Sequence, residues 1–240
     1  MTRGVELTEA GESFYVDACQ ILALSDAALE KTKGIARGMN GSLVPGITSS
    51  AAFHSQIFSL LYQFQQRYPA VALRQVEGNM ATLMHALGEA ELDIAFVRLP
   101  CESSKAFNLR IIAEEPMVIA LHRSHPLSGE SALSLAQLSD AVPVIFPPEV
   151  APGLYEQVYD GCRRAGVDMS RVRQSSQISS SISMVDAGFG FALVPQSMTC
   201  ICLPNVTWHP LQDASLKTEI AIAWRRFERS RTVKRFLEMF

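Results

Sequence analysis

The chain has 240 residues, 48% hydrophobic and 19% charged, with a formal net charge of −3. Such a length suits one large domain or two small lobes, and the composition is that of an ordinary globular protein, so disordered and fibrous classes drop out. A net negative chain is also a poor candidate for strong non-specific nucleic-acid binding, which draws its affinity from neutralising phosphates with Lys and Arg.

Met1 to Glu6 holds no apolar signal-peptide core, and no later run approaches the roughly 20 apolar residues of a membrane span. The expectation is a cytoplasmic protein with no membrane partner. Residues 3 to 7 read as a short strand or turn. Thr8 then caps a helix running to about Arg37, because no proline interrupts a stretch rich in Ala, Leu, Glu and Lys. At 1.5 Å per residue it is roughly 45 Å long, more than one small lobe covers. Phe14, Ala18, Ile21, Ala28 and Ile35, flanked by Tyr15, Leu22 and Leu29, form a narrow apolar stripe. A narrow stripe suits a partner helix; the alternative is a surface helix lying on its own domain. Gly38 to Ser42 is a helix stop and hinge.

From Gly41 to Tyr68 a strand (Leu43, Val44, Ile47) runs through the hydroxyl cluster Thr48, Ser49 and Ser50 into a helix whose stripe is Phe53, Ile57, Leu60, Leu61 and Phe64. Hydroxyls at a helix start cap its free N–H groups, and with the positive end of the helix they can hold an anion such as a carboxylate. Capping alone would explain them equally well. Pro69 ends this helix, Val71 to Glu77 alternates as a strand, and Gly78-Asn79 turns into a helix with Met80, Leu83, Met84 and Leu87 on one face. Asp93 to Val97 returns as a buried strand. This β-α-β-α-β order predicts a parallel sheet with right-handed crossovers. Ligands bind at the carboxyl ends of such strands, so Thr48 to Ser50, Asn79 and Arg98 to Pro100 should converge.

Leu109 to Leu121 is long for one strand and reads as a connection that leaves a first lobe near 109–113 and enters a second at 117–121. The second lobe repeats the alternation: a short helix at 134–138, a strand at 142–146 closed by Pro147-Pro148, a helix at 153–165 with Leu154, Val158 and Cys162 inward, and a strand at 172–178. Ser179, Ser180 and Ser181 then open a helix, repeating the hydroxyl-rich start of the first lobe and facing the same gap. Phe191 to Val194 is a buried strand. Val206 to Leu211 and Glu219 to Trp224 are the last strands and 228–240 the last helix, all expected to return to the first lobe. Two crossings make a hinge, and a hinged cleft is a common small-molecule site. A small anion would be bridged by Ser49, Ser50 and Asn79 on one side and Ser179 and Ser180 on the other, with Phe146 and Pro147 as walls and Arg98 adding charge pairing.

Five cysteines are scattered without a C-x-x-C pair, so neither a disulfide framework nor a zinc knuckle is indicated. Ser50 and His54 lie four apart, but no G-x-S-x-G elbow or third group accompanies them. Gly188-Phe189-Gly190 lacks the third glycine of a dinucleotide loop, and His122 with His125 lacks a nearby carboxylate for a metal. The expectation is therefore no catalytic residue, metal or cofactor. The basic run Arg225, Arg226, Arg229, Arg231, Lys234 and Arg235 is interspersed with Glu228 and Glu238 and reads as a solvated helix face.

Four segments in order resemble the LysR-type transcriptional regulators: Arg3-Gly4-Val5-x-Leu7-Thr8-Glu9-Ala10-Gly11 at the wing end, Leu92-Asp93-Ile94-Ala95-Phe96, His122-x-x-His125-Pro126-Leu127, and Ala187-Gly188-x-Gly190-x-x-Leu193-Val194-Pro195. The resemblance implies an α/β effector-binding domain of two Rossmann-like lobes joined by two crossover strands, like periplasmic binding proteins, behind a long linker helix. It divides the chain into 1–40 (wing end and linker helix), 41–110 plus 206–240 (first lobe) and 111–205 (second lobe). The implied partners are a small effector, a second copy or three more in a dimer or tetramer, and promoter DNA through a winged helix-turn-helix that would precede residue 3. Arg98 and the Pro100 turn look closest to members governing degradation of aromatic or unsaturated carboxylates. One departure is Pro45 inside the first strand, where it removes a ladder bond, so that strand should be short or kinked. Rival readings are a transporter's solute-binding protein, which would carry an export signal, and a small α/β enzyme.

Overall fold

The computed structural model describes residues 7–101, 106–212 and 216–240; the leading strand or turn expected over residues 3–7, and the start of the Arg3-Gly4-Val5 segment, fall almost wholly outside them. Helix α1 (Glu9–Ala36) starts where Thr8 Oγ1 accepts from the Gly11 amide at 3.2 Å, with Glu9 and Glu12 in its first turn and Lys33 in its last complementing the helix dipole. None of its residues is buried. The apolar stripe lies bare, with Phe14 72% and Ile21 65% exposed. Arg37 ends the helix, and Gly38 at φ +70° turns the chain so closely over the next lobe that a Cβ would stand 2.6 Å from the Arg231 carbonyl carbon.

The first lobe comprises β1 (Gly41–Leu43), β2 (Pro45–Thr48), α2 (Ser55–Arg67), β3 (Val71–Leu73), β4 (Val76–Gly78), α3 (Met80–Gly88) and β5 (Ile94–Leu99). Its pairings β1–β3, β2–β4 and β2–β5 are parallel, as the β-α-β-α-β order requires. The single strand expected over 43–47 is two strands. Val44 leaves the ladder to donate its amide to Asp93 Oδ2 at 2.8 Å and accept the Asp93 amide at 2.9 Å, and Pro45 has no N–H to offer. The strand over 71–77 divides in step, because β3 follows β1 and β4 follows β2.

Strand β6 (Phe107–His122) is one strand of 16 residues that runs through both lobes, so the expected two-part connection is continuous. Its first part pairs antiparallel with β11 (Lys217–Arg225), and its second with β9 (Ala192–Pro195) and β10 (Val206–Pro210). Placing 206–211 in the first lobe is thereby corrected: Val206 to Pro210 pairs with Val118 to His122 on the second-lobe half of β6. Only β11 and the short α6 (Arg231–Leu237) return. The second lobe also holds β7 (Val144–Ile145), α4 (Pro152–Arg164), β8 (Arg173–Gln174) and α5 (Ile178–Asp186), with β7 and β8 parallel and Pro143 bridging to Phe191.

Alternation along β5 sorts the first lobe into two layers. Ile94 and Phe96 face a core with Ile57, Leu61, Phe64, Ile222, Val233 and Phe236, while Ala95 and Val97 face Met80, Leu83, Leu87 and Ala223. Helices α2 and α6 thus cover one face of the sheet and α3 the other. The second lobe has its own core, in which Phe146, Leu154, Cys162, Ile182 and Phe191 are buried. The result is a pair of α/β lobes joined by the two crossover strands β6 and β11.

Candidate functional site

The carboxyl ends of β2, β4 and β5 do meet. Thr48, Ser49, Ser50, Gly78, Asn79, Met80 and Arg98 line the first-lobe side of an interlobe cavity of about 10 Å³, and Val150, Ala151, Gln177 and Ile178 line the second-lobe side. That volume holds about one water molecule, so the gap is closed. Closure is tight on both flanks. Phe53 of the first lobe packs against the second-lobe core, and a Cβ on Gly153 at the start of α4 would stand 2.2 Å from the Pro100 carbonyl oxygen.

The hydroxyl cluster does not cap a helix. After Ser50 comes a single 3₁₀ turn, Ala51–Phe53, and α2 begins only at Ser55 with His54 as its unassisted N-cap. Ser50 instead receives Arg98: Nε donates to Ser50 Oγ at 2.9 Å and Nη2 to the Ser50 carbonyl at 3.0 Å. Arg98 is 1% exposed, and its Nη1 donates to Glu115 Oε1 at 2.7 Å. Glu115, on β6, in turn accepts the Ser197 amide on Oε2 at 2.6 Å and the Ser197 hydroxyl on Oε1 at 3.1 Å, while Arg98 Nη2 reaches Ser197 Oγ at 3.3 Å. Ser197 follows β9 in the second lobe. One buried ion pair therefore ties Ser50 to Ser197 across the hinge. Burial pushes the Arg98 guanidinium below its ordinary value, and Glu115 partly restores it. Because Glu115 already balances its charge, Arg98 is not the free cation that the sequence suggested for pairing with a ligand.

The other expected positions divide. Asn79 lines the cavity while its Oδ1 accepts from the Thr82 amide at 2.8 Å, so it is the N-cap of α3 as well. Ser179 and Ser180 are not on the lining. Helix α5 starts earlier, with Gln177 as N-cap, and Ser180 Oγ turns back to accept the Gln177 amide at 2.8 Å. Gln177 and Ile178 take the place assigned to the serines. Phe146 does not wall the gap either: it is 2% exposed within the second-lobe core, its ring against Tyr155, and Pro147 is likewise off the lining. Sequence spacing does not point to Glu115 or Ser197; the one signal is the Glu114-Glu115 pair set between the apolar runs 111–113 and 117–121 of β6. A second, wider cavity of about 390 Å³ opens beside the first through the shared Met80, lined by Ala81, Met84, Pro100, Cys101, Pro152, Gly153 and Glu156.

The Ser50–His54 pairing of an enzyme is not formed, since Ser50 Oγ is held by Arg98 and His54 Nδ1 is buried without a hydrogen-bond partner among the described residues. Among those residues no group of His, Cys, Asp and Glu is placed to hold a metal, and no helix is long and apolar enough to cross a membrane.

Two α/β lobes on a pair of crossover strands, closed over a polar gap and led by a bare helix, define an effector-binding domain of the periplasmic-binding-protein kind. The LysR substrate binding domain matches residues 36–240. The chain is 99% identical over 240 residues to the HTH-type transcriptional regulator BudR of Raoultella terrigena, covering all of this chain and 83% of that protein. Full-length CbnR complexed with its target DNA superposes with a TM-score of 0.84 at 23% identity, over 99% of this chain and 80% of that one. The BenM effector-binding domain with its effector benzoate gives a TM-score of 0.70 at 24% identity, over 83% and 93%. The chain belongs to the LysR family of transcriptional regulators and carries their effector-binding domain; it is a regulator and not an enzyme.

Proposed function

We propose that the chain senses a small anionic metabolite, a carboxylate, taken into the gap between the lobes, and passes lobe closure through α1 to a DNA-binding head preceding it. The observation that carries this reading is the cavity built from both lobes, with Ser49, Ser50 and Asn79 opposite the Gln177 end of α5. The amino ends of α3 and α5 both open there, and helix amino ends favour anions. The benzoate of the BenM domain is a carboxylate, which supports the same ligand class. Since the closed gap has room for about one water, anything larger enters only when the lobes part, and its differential affinity for the two forms is the signal. Residues 1–40 act as linker; 41–110 with β11 and α6 form the first lobe, and 111–210 the second. The bare α1 stripe pairs with α1 of a second copy, and the regulator works in the cytoplasm as a dimer or tetramer on promoter DNA.

The test is a thermal-shift series on this chain with inorganic anions and carboxylates of graded size. Ligand at a hundredfold its Kd stabilises by about 2.7 kcal/mol, a rise of several degrees in Tm. The expected result is such a rise, lost on Ser50→Ala and kept on His122→Ala. Turnover of any compound, or a shift indifferent to Ser50, would sink the reading.

A further inference from the structure

The basic run in the last quarter of the chain is solvent-exposed from Arg226 onward, as its sequence implied, but the carboxylates within it do little to screen it. Glu228, the carboxylate within the run, is turned inward: its side chain is 7% exposed, Oε2 accepts from Arg225 Nη2 at 2.7 Å and Oε1 from the Ser230 amide at 2.7 Å. Arg225 is also internal, donating through Nη1 to the carbonyls of Leu87 and Leu92. Among the described residues Glu238 pairs only with Arg235, at 3.2 Å. Arg226, Arg229, Arg231 and Lys234 remain on the surface with no ion pair among the described residues, on a chain whose net charge is −3. Arg231 and Lys234 share the outer side of α6, opposite the buried Thr232, Val233 and Phe236, and Arg226 to Ser230 is the loop that leads into it. Arg37, likewise exposed and unpaired, joins them, because Gly38 sits against the Arg231 backbone. Amid these cations Phe227 is 84% exposed, the barest ring in the described chain, with the Arg226 guanidinium 5.7 Å from its centroid.

We propose that this surface, at the foot of α1, docks an acidic protein segment that presents an apolar side chain to Phe227. Cations alone would fit any polyanion. The bare ring favours a peptide over duplex nucleic acid, whose bases are stacked away and whose phosphate backbone offers it no apolar surface, whereas a peptide with Leu or Phe among its carboxylates covers it and pairs the arginines together.

The experiment measures fluorescence anisotropy of two labelled synthetic peptides of equal charge, one with leucines among its glutamates and one with serines in their place, titrated with this chain. The leucine peptide should bind at least about tenfold tighter. Phe227→Ser should erase that difference and leave the serine peptide unchanged. Arg226→Glu with Arg229→Glu and Lys234→Glu should abolish binding of both, with the thermal melt preserved. Equal binding of the two peptides, indifference to charge reversal, or displacement of the leucine peptide by a duplex or single-stranded DNA of matched charge at equal or lower concentration would overturn the proposal; the last would make the patch a nucleic-acid contact.

Discussion

Arg98 and Glu115 carry the heaviest single electrostatic commitment in the molecule. Two charges lie almost entirely out of water, each costly to desolvate, and bonds to Ser50 and Ser197 satisfy most of their remaining hydrogen-bonding capacity. Removing one partner strands the other. Arg98→Leu or Glu115→Leu alone should cost about 3–5 kcal/mol in urea unfolding, while the double substitution should recover most of that loss. Single losses that simply add in the double variant would mean the two side chains are not coupled. Asp93 plays a quieter part: its carboxyl bonds the Val44 amide and is held above its usual range chiefly by burial. The Leu92-Asp93-Ile94 segment is thus a fold-making feature, splitting the first strand so that β2 is aimed at the gap.

Among the elements, α4 decides how closely the lobes meet. Its first turn carries Gly153 against the Pro100 carbonyl, a contact only a residue without a Cβ can make. Within one lobe, Gly153→Ala should be neutral or slightly favourable, since Ala is the better helix former by up to about 1 kcal/mol. Between the lobes it forces separation, an overpacking cost of about 1–3 kcal/mol against the closed form. The expected outcome is a lowered melt without ligand, because the ligand-free form is the closed one. An unchanged melt would show that the lobes do not close through this contact. Helix α1 is the opposite case, an element with strong local signals and no buried residue of its own.

At the scale of the whole molecule, two cysteines report on different motions. Cys101 lines the cavity at the cleft mouth, half-buried, and Cys162 is 1% exposed in the second-lobe core, where burial pushes its thiol from 9.0 to about 11. Alkylation of Cys101 should therefore change rate when ligand alters the spacing of the lobes, and that of Cys162 should follow global unfolding alone. Between pH 9 and 11 the unfolded chain has lost the Cys162 proton while the folded chain keeps it, so stability falls as pH rises through that window, by about 2–3 kcal/mol at its upper end. In Cys162→Ala that part of the slope should vanish. A slope equal to the parent's, or Cys101 labelling blind to ligand, would contradict this division of the molecule.

The linear chain determined much by itself. Hydrophobic period and punctuation located α1 with its Thr8 cap, the β-α-β-α-β start, the two-lobe plan and the convergence of Thr48, Ser50, Asn79 and Arg98, because each depends on local spacing or on the fixed handedness of a parallel crossover. What only the tertiary structure decided is where side chains with several possible partners went. Ser50 could cap a helix or receive an arginine, Arg98 could meet a ligand or Glu115, β10 could pair in either lobe, and Glu228 could screen its neighbours or turn inward. Those choices are made between groups far apart in the chain, where burial and competition for a single partner set the energy, and no spacing along the sequence records them.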